Sequence, residues 1–317
     1  MNTVLRSAAR AVRQRAYWVY LLSQTRRILQ MRRNAIAARA QDGLQLISLT
    51  PAFDRRSGTL FILGSGASIN ELDPAFWEHV SKYDSIGFNN WLVHDFVPDF
   101  YMREFPLEIS ANQQFAEIFS EKREQYGQLP FLLRRGFTAR RAAIWPEALA
   151  LFQSLVSGPI CLPDVVNVPA ETETEMRSFC RLWRKLRLHR NVDIHLDCRA
   201  SVSQLIYFGL TQGYRDIVLC GIDLNTKTYF WEDPRWTGSR VKLPPNNSTT
   251  AQHRTMDPNL GLPIDRIVAA MHDELLKPAG VQLYVARPSS ALRSFCLFTP
   301  CRRHIERQCV CSCSSAT

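Results

Sequence analysis

Residues 1–40 contain no aspartate or glutamate, although they contain nine arginines. The chain of 317 residues has 39 lysines and arginines against 29 acidic residues, which gives a net charge of +10. Residues 41–317 therefore hold 30 basic residues (39 minus 9) and all 29 acidic ones, a net charge of +1. Because the body of the protein is almost neutral, this distribution argues against a nucleic-acid partner and assigns the positive charge to one terminal segment.

The sequence also lacks a long hydrophobic run near its start. The apolar stretch Ala16–Leu22 has seven residues, whereas a transmembrane helix needs about 20. No small-residue cleavage site follows it, so a secretory signal is not indicated. Apolar residues recur every three or four positions over residues 3–40, with arginines on the other faces, which predicts a basic amphipathic helix within residues 1–45.

This basic helix suggests where the protein resides. Two tyrosines and a tryptophan stand among its apolar residues, and such a helix can lie on an anionic membrane. We therefore expect a cytoplasmic protein whose residues 1–40 contact the inner face of the cytoplasmic membrane. A solvated helix packed on the domain and a mitochondrial transit peptide remain alternatives.

Paired cysteine spacings typical of zinc knuckles are absent. Four of the nine cysteines stand singly in apolar or mixed segments, which predicts buried thiols in a reduced protein; these are Cys161, Cys180, Cys198 and Cys220. The other five crowd residues 296–317, where Cys309, Cys311 and Cys313 follow a C-x-C-x-C pattern rather than C-x2-C pairs. We expect a disordered Cys-rich tail there, with metal binding as the less favoured alternative.

Strand and helix patterns alternate from Gly58 onward. Apolar segments predict strands at residues 59–63, 84–88, 99–102, 192–196, 216–220 and 281–285. Helical patterns occupy residues 74–80, 111–126, 172–188, 201–211 and 264–276. This alternation predicts an α/β protein with a mostly parallel, doubly wound Rossmann-like sheet over residues 58–295. The polar stretch 225–262 is too long for an ordinary connection and is predicted to be a lid over the site.

Three polar loops follow predicted strands, at Gly64–Ser68, Asn89–Asn90 and Gly221–Asn225. Ligands of such sheets bind beyond the carboxyl ends of the strands, so these loops predict one binding site. The glycines of the first loop could bring N–H groups against a phosphate. The dinucleotide fingerprint fails because Ile69 occupies its third glycine position, so a nicotinamide cofactor is not expected. A mononucleotide site and a tight turn without a ligand remain the alternatives.

Three further residues are candidates for chemistry. His253 lies in the long polar loop and could take a proton from a hydroxyl nucleophile, although most loop histidines are merely solvated. Ser201 begins a predicted helix, where a cap is the safer interpretation and an anion contact the alternative. Asp223-Leu-Asn225 is similar to the Asp-x-Asp metal element of sugar transferases, but its amide favours a structural role for Asp223. No Gly-x-Ser-x-Gly, P-loop or His-Glu-x-x-His motif occurs.

Several of these segments together resemble glycosyltransferase family 42, the bacterial sialyltransferases that use CMP-sialic acid. The order Phe61–Ile69, Ile86–Asn90, Gly213–Asp223, the loop histidine and Val281–Leu292 is that of the family. The methylpterin diphosphokinase-like family shares the first glycine motif and the Gly-Ile-Asp turn. The resemblance covers residues 58–295, with a poor match in the middle. It implies a GT-A-like Rossmann core with a smaller, helical lid and an inverting reaction that needs neither metal nor cofactor.

The resemblance also implies roles for individual residues. His253 matches the general base, Asn89 a nucleotide-holding asparagine and Ser201 a donor-contacting serine. Of two family tyrosines that bind the leaving phosphate, Tyr229 matches the second, whereas the first falls on Asn225. Arg103 lies near a further family asparagine, and its charge suits a phosphate or a sugar carboxylate. The predicted donor site comprises Gly64, Ser65, Gly66, Ser68, Asn89, Asn90, Ser201, Gly221, Asp223, Asn225 and Tyr229.

These features lead to one functional hypothesis and two alternatives. We expect an enzyme that transfers sialic acid or a related sugar from a CMP-activated donor to a glycan hydroxyl. The sequence does not decide between a monomer and a homo-oligomer. The first alternative is a diphosphokinase-like enzyme, which needs magnesium and clustered carboxylates. The second is a non-catalytic membrane-associated protein whose arginine-rich helix is the functional part.

Overall fold

The structure is a computed structural model. It describes residues 53–298, with gaps at 105–108, 135–138, 169, 237–242 and 244–251, together with Tyr17 and Val19. Both of these N-terminal residues are helical; the rest of the predicted basic helix lies outside the described residues.

The main sheet has eight parallel strands in the order β5-β4-β3-β2-β1-β8-β9-β10. Its strands are β1 (Thr59–Leu63), β2 (Asp84–Phe88), β3 (Phe100–Glu104), β4 (Phe131–Arg134), β5 (Ile160–Cys161), β8 (Asp216–Cys220), β9 (Gln282–Val285) and β10 (Leu297–Phe298). Two further strands, β6 (Asp164–Asn167) and β7 (Ile194–Asp197), pair only with each other. The strand order reverses between β1 and β8, and this switch point is where doubly wound sheets bind ligands.

Seven α-helices accompany these strands in the described part of the chain. They are α1 (Pro74–Val80), α2 (Ile109–Glu121), α3 (Arg123–Tyr126), α4 (Ala139–Leu155), α5 (Glu173–Lys185), α6 (Ser201–Thr211) and α7 (Ile264–Met271). The start of α1 has the predicted cap, because the Asp73 carboxylate accepts a hydrogen bond from the Phe76 N–H at 2.8 Å and Pro74 follows it. Beyond α7, one π-helical turn covers His272–Leu276.

The helices cover both faces of the sheet, and the side chains of β1 show this directly. Leu60 and Ile62 belong to one buried cluster with residues of α5, α6 and α7. Phe61 and Leu63 belong to a second cluster with residues of α1, α2 and α4. Because successive residues of a strand point to opposite faces, a strand buried on both sides reads as a continuous apolar run. The predicted doubly wound α/β fold is confirmed.

Several predicted elements differ from the structure. The pattern over residues 111–126 belongs to two helices, α2 and α3, and the predicted strand 192–196 lies in the small two-stranded sheet. The strands β4, β5 and β6 and the helix α4 were not predicted. The segment predicted as a disordered tail begins with the buried Cys296 and strand β10, so that prediction was wrong for residues 296–298; residues 299–317 are outside the described range.

The described cysteines agree with a reduced interior. All four predicted thiols and Cys296 are buried, and these five cysteines form no disulfide. Burial raises the pKa of Cys161 and of Cys296 to about 12, with nearby Asp193 adding to the shift at Cys161. No helix in the described residues is long and apolar enough to cross a bilayer.

Candidate functional site

An open cleft of about 750 Å³ lies at the carboxyl ends of the central strands. The loops after β1, β2 and β8, the ends of β3 and β4, the start of α6 and the segment around His253 all contribute to it. Ten of the residues predicted from the sequence line this cleft. They are Ser65, Gly66, Asn89, Asn90, Arg103, Ser201, Gly221, Asp223, Tyr229 and His253.

Three predicted site residues do not line the cleft. A Cβ on Gly64 would lie 2.3 Å from the Ile222 side chain, so this glycine allows two loops to pack closely. Ser68 is buried beneath the loop. The Asn225 amide donates a hydrogen bond to the Ser289 carbonyl at 2.8 Å. The position that would match the first family tyrosine is therefore engaged elsewhere.

Asp223 connects the loops that follow β1 and β8. Its carboxylate accepts hydrogen bonds from the Ser68 N–H at 2.9 Å and from the Ser68 hydroxyl. A Cβ on Gly66 would lie 2.4 Å from the same carboxylate, so only glycine fits there. The structural role predicted for Asp223 is confirmed, although its side chain also borders the cleft.

Most N–H groups of the first loop are used within the protein. The Gly64 and Gly66 N–H groups donate to the carbonyls of Cys220 and Gly221, both at 2.8 Å. Within the described chain, the N–H and hydroxyl of Ser65 make no hydrogen bond. The part of this loop that can donate to a phosphate is therefore centred on Ser65.

Residues 229 and 230, near the beginning of the predicted lid, pair with the backbone of the loop after β1. Gly66 and Tyr229 form an antiparallel bridge, and the Phe230 N–H donates to the Ser65 carbonyl at 3.0 Å. Phe230 is fully buried, and the Tyr229 ring stacks on Trp231 at 4.4 Å between centroids. This packing holds Tyr229 at the edge of the cleft. The described residues of 225–262 form three short 3-10 turns rather than a long helix.

His253 is the one histidine among the residues that line the cleft. Its backbone N–H donates to the Leu224 carbonyl at 3.1 Å, and its Nδ1 accepts a hydrogen bond from the Thr255 N–H at 3.3 Å and lies 2.9 Å from Thr255 Oγ1. Burial lowers the pKa of His253 from its ordinary value, because the cation loses solvation. The ring is therefore neutral at pH 7, which a general base requires.

The backbone around the cleft is strained at three non-glycine positions. Asn89, Arg199 and Leu224 have φ values of 55°, 72° and 63°, in the left-handed region that costs such residues free energy. The Asn89 carbonyl accepts a hydrogen bond from the Tyr101 hydroxyl at 2.6 Å, which holds that loop in place. Strain of this kind concentrates at binding sites.

The start of α6 is arranged differently from the prediction. Ala200 is the N-cap residue and makes no side-chain cap, so the cap predicted for Ser201 was wrong. The Ser201 hydroxyl instead donates to Glu104 at 3.2 Å. Glu104 also accepts a hydrogen bond from Arg134 at 2.7 Å, and Arg134 reaches Asp197 of the small sheet as well.

The sequence did not identify Glu104, Arg134 and Arg199 as site residues. Glu104 and Arg134 end β3 and β4, and a correct prediction of β4 would have placed both at the same edge of the sheet. Arg199 donates to the carbonyls of Leu262 and Asp257 at 3.0 and 2.8 Å, so it fixes the segment that carries His253. No sequence pattern pointed to that role.

Neither a metal site among the described residues nor a similarity to a known protein assigns a function to this cleft. Within the described ranges, no group of three or more His, Cys, Asp or Glu residues could hold a metal ion; the C-x-C-x-C segment lies outside them. A scan against protein-family models and searches of curated proteins and of solved structures found no match for this chain.

Proposed function

We propose that this protein is a sialyltransferase-like glycosyltransferase, which transfers sialic acid or a related sugar from a CMP-activated donor to a glycan hydroxyl. The observation that carries the proposal is the position of His253, a neutral histidine beside Tyr229 in a cleft at the switch point of a doubly wound sheet. The ring centroids of these two residues are 6.4 Å apart. The GT-A-like classification and closure of residues 225–262 as a lid belong to this proposal.

His253 acts as the general base in the proposed reaction. The acceptor hydroxyl oxygen forms a bond to the anomeric carbon while the bond from that carbon to the phosphate oxygen breaks, with inversion. The electron pair leaves with the phosphate of CMP, and the hydroxyl proton moves to His253 Nε2. In the structure Nδ1 accepts a hydrogen bond from the Thr255 N–H at 3.3 Å. The proposed reaction uses the other neutral tautomer, in which Nδ1–H donates to Thr255 Oγ1, 2.9 Å away, and Nε2 is free to take the proton.

The departing nucleotide lies on the switch-point side of the cleft in this proposal. Tyr229 and the Ser65 N–H are the groups there that can donate to the leaving phosphate. Asn89 and Asn90 can bond a base or ribose, because their amides supply both donors and acceptors. The donor needs no metal ion in this scheme, since protein groups stabilise the phosphate charge.

The cleft carboxylates favour this reaction over magnesium-dependent phosphoryl transfer. Asp223 accepts two hydrogen bonds from Ser68, and Glu104 accepts from Arg134 and Ser201. A magnesium–nucleotide complex binds through free carboxylates, so the diphosphokinase-like reaction would first have to break these contacts.

Ligand-dependent melting of the full chain tests the proposal. CMP should raise the melting temperature, whereas magnesium–ATP should not, because only a ligand of the native state stabilises it.

Purified protein should also hydrolyse CMP-sialic acid slowly and transfer the sugar to a galactoside. His253→Ala should lower kcat by at least about 100-fold, the usual contribution of a general base, without changing CMP affinity. Stabilisation by magnesium–ATP alone, or full activity of H253A, contradicts the proposal.

A further inference from the structure

Arg103 is a buried arginine at the carboxyl end of β3, and it lines the cleft. Only 3% of its surface is exposed. The Nη2 atom makes one long hydrogen bond of 3.4 Å to Asn112 Oδ1, and Nε has no partner among the described residues. The guanidinium carbon lies 3.9 Å from the centre of the Phe115 ring. The neighbouring Glu104 attracts this charge through space, but its carboxylate forms its ion pair with Arg134.

The other arginines of the cleft are committed or exposed. Arg134 forms ion pairs with Glu104 and Asp197. Arg199 donates to backbone carbonyls, and Arg254 is exposed to solvent. Among the cleft arginines in the described part of the chain, Arg103 alone is both buried and without a carboxylate partner.

Burial of a guanidinium that makes no ion pair is unfavourable, because the free energy of removing a cation from water exceeds that of a cation–π contact. Burial lowers the pKa of Arg103 to about 10, so the group keeps its charge at neutral pH. A ligand carboxylate would supply the missing charge and could take two parallel hydrogen bonds from the guanidinium.

The place of Arg103 in the sheet distinguishes this anion from the nucleotide phosphate. The switch point lies between β1 and β8, whereas Arg103 is on β3, two strands away. Strands are about 4.8 Å apart, so Arg103 is roughly 10 Å from the loop that carries Ser65. A phosphate beside Ser65 and Tyr229 and a second anion on the same sugar nucleotide can therefore occupy the cleft together.

Accordingly, we infer that Arg103 binds the carboxylate of the transferred sugar and thereby selects acidic sugars over neutral ones. This inference rests on the proposed function for the identity of the nucleotide donor. The sugar contact itself is separable, because a free acidic sugar carries the same carboxylate.

The test compares Arg103→Met and Arg103→Lys with Arg123→Met, which removes the same charge from an exposed position outside the cleft. Calorimetry would measure binding of four probes: CMP, CMP-N-acetylneuraminic acid, free N-acetylneuraminic acid and its methyl ester. The ester has the same sugar without the charge. The wild-type protein and R123M should prefer the acid to its ester by roughly 10- to 100-fold, the range of a charge-assisted contact.

R103M should bind acid and ester equally and should bind CMP as the wild type does. R103K should keep part of the preference, because lysine retains the charge without the planar fork. R103M should also raise the melting temperature of the ligand-free protein, since an unpaired buried charge is replaced by an apolar side chain. A purely structural arginine would lower it.

The outcomes separate this inference from the proposed function. Equal binding of acid and ester by the wild type overturns the inference, as does a loss of CMP affinity in R103M, which would make the phosphate its ligand. A lower melting temperature in R103M with an unchanged acid-to-ester ratio also overturns it. If the wild type fails to bind CMP but prefers the acid in an Arg103-dependent way, the proposed function fails and the carboxylate site stands.

Discussion

Asp223 and Ser68 are 155 residues apart in the chain, yet the carboxylate of one accepts hydrogen bonds from both the N–H and the hydroxyl of the other. Both residues are buried. The pair joins the loop after β1 to the loop after β8 at the point where the strand order reverses. The shape of the cleft at this switch point therefore depends on this contact.

Asp223→Ala should destabilise the protein by about 2–3 kcal/mol, because it leaves two buried donors of Ser68 without an acceptor. Ser68→Ala should cost less, about 1 kcal/mol. Since the two residues share one contact, the double variant should be more stable than the sum of the single effects predicts, by roughly 0.5–3 kcal/mol. Urea denaturation at pH 7 measures all four proteins. Strict additivity would show that the contact does not contribute to stability.

Thr255→Val should lower kcat of the proposed transfer by roughly 10-fold or more. Without the Thr255 hydroxyl the His253 ring can rotate or shift by about 1 Å, and such a displacement of a general base slows proton transfer. Valine keeps the volume of threonine but cannot accept the hydrogen bond from His253 Nδ1–H. Thr255→Ser is the matched control, since it keeps the hydroxyl and should keep most of the rate. Steady-state kinetics with separate kcat and KM values would decide. Equal rates for T255V and T255S would contradict the orienting role.

The pH profile of the transfer should place the acid limb below the ordinary histidine pKa of about 6.5. Burial lowers the pKa of His253, so the ring stays neutral and able to accept a proton as the pH falls through 6.5. Activity should therefore decline only at more acidic pH. The profile of kcat/KM against pH measures this in the free enzyme. An acid limb above pH 6.5 would point to another ionising group.

Acid should destabilise the fold through two buried histidines. Burial lowers the pKa of His94 and of His195 to about 3, with Lys122 adding to the shift at His94. Below about pH 6.5 the unfolded chain binds protons that the folded protein does not, so stability present at neutral pH is lost on acidification. Each histidine should cost about 2 kcal/mol between pH 7 and pH 5.

Urea denaturation of His94→Phe at both pH values tests this assignment. The ring centroid of His94 lies within 5 Å of those of Trp77, Trp91 and Trp236, so phenylalanine keeps the ring packing. It removes the Nδ1 that accepts the Phe96 N–H at 2.9 Å, a loss that applies at both pH values. Whatever its stability at pH 7, the variant should lose about 2 kcal/mol less than the wild type on acidification. The same loss in both proteins would exclude His94 as a source of the acid sensitivity.

The arginines of residues 1–40 should control membrane association. Tyr17 is 6% exposed and belongs to the core cluster that contains Phe53 and Phe208, so deletion of the whole segment would remove a core residue as well. Substitution of Arg6, Arg10, Arg13 and Arg15 by glutamine is the sharper test. Co-sedimentation with vesicles of anionic lipid should fall by at least about 10-fold, at roughly 1 kcal/mol per arginine near the surface, while transfer to a soluble acceptor persists. Loss of activity with unchanged sedimentation would refute the membrane role.

The central strands could be predicted from the sequence because they are short apolar runs ended by glycine or asparagine. The bounds 59–63, 84–88 and 216–220 agree with β1, β2 and β8. The site residues that follow these strands were predicted for the same reason, since carboxyl ends of parallel strands meet at one edge.

The middle of the chain could not be assigned in this way. Phe131–Arg134 is only four residues long, and a short buried run has no periodicity that separates a strand from part of a helix. Helix α4 contains Pro146, which ordinarily argues against a helix interior. Without β4, the ion pair between Arg134 and Glu104 could not be predicted, nor could the finding that Glu104 forms its ion pair with Arg134 rather than with the adjacent Arg103.

The position of β1 at the centre of the sheet has a consequence for synthesis of the protein. Its partner β2 follows directly in the chain, but Thr59 of β1 pairs with Asp216 of β8, 157 residues later (216 minus 59). At about 5–20 residues per second, a ribosome needs roughly 8–30 s to make the intervening chain. Throughout that interval the nascent β1 presents an apolar, unpaired edge that can associate with other chains. The cleft at the switch point is therefore completed only late in translation, once β8 has emerged.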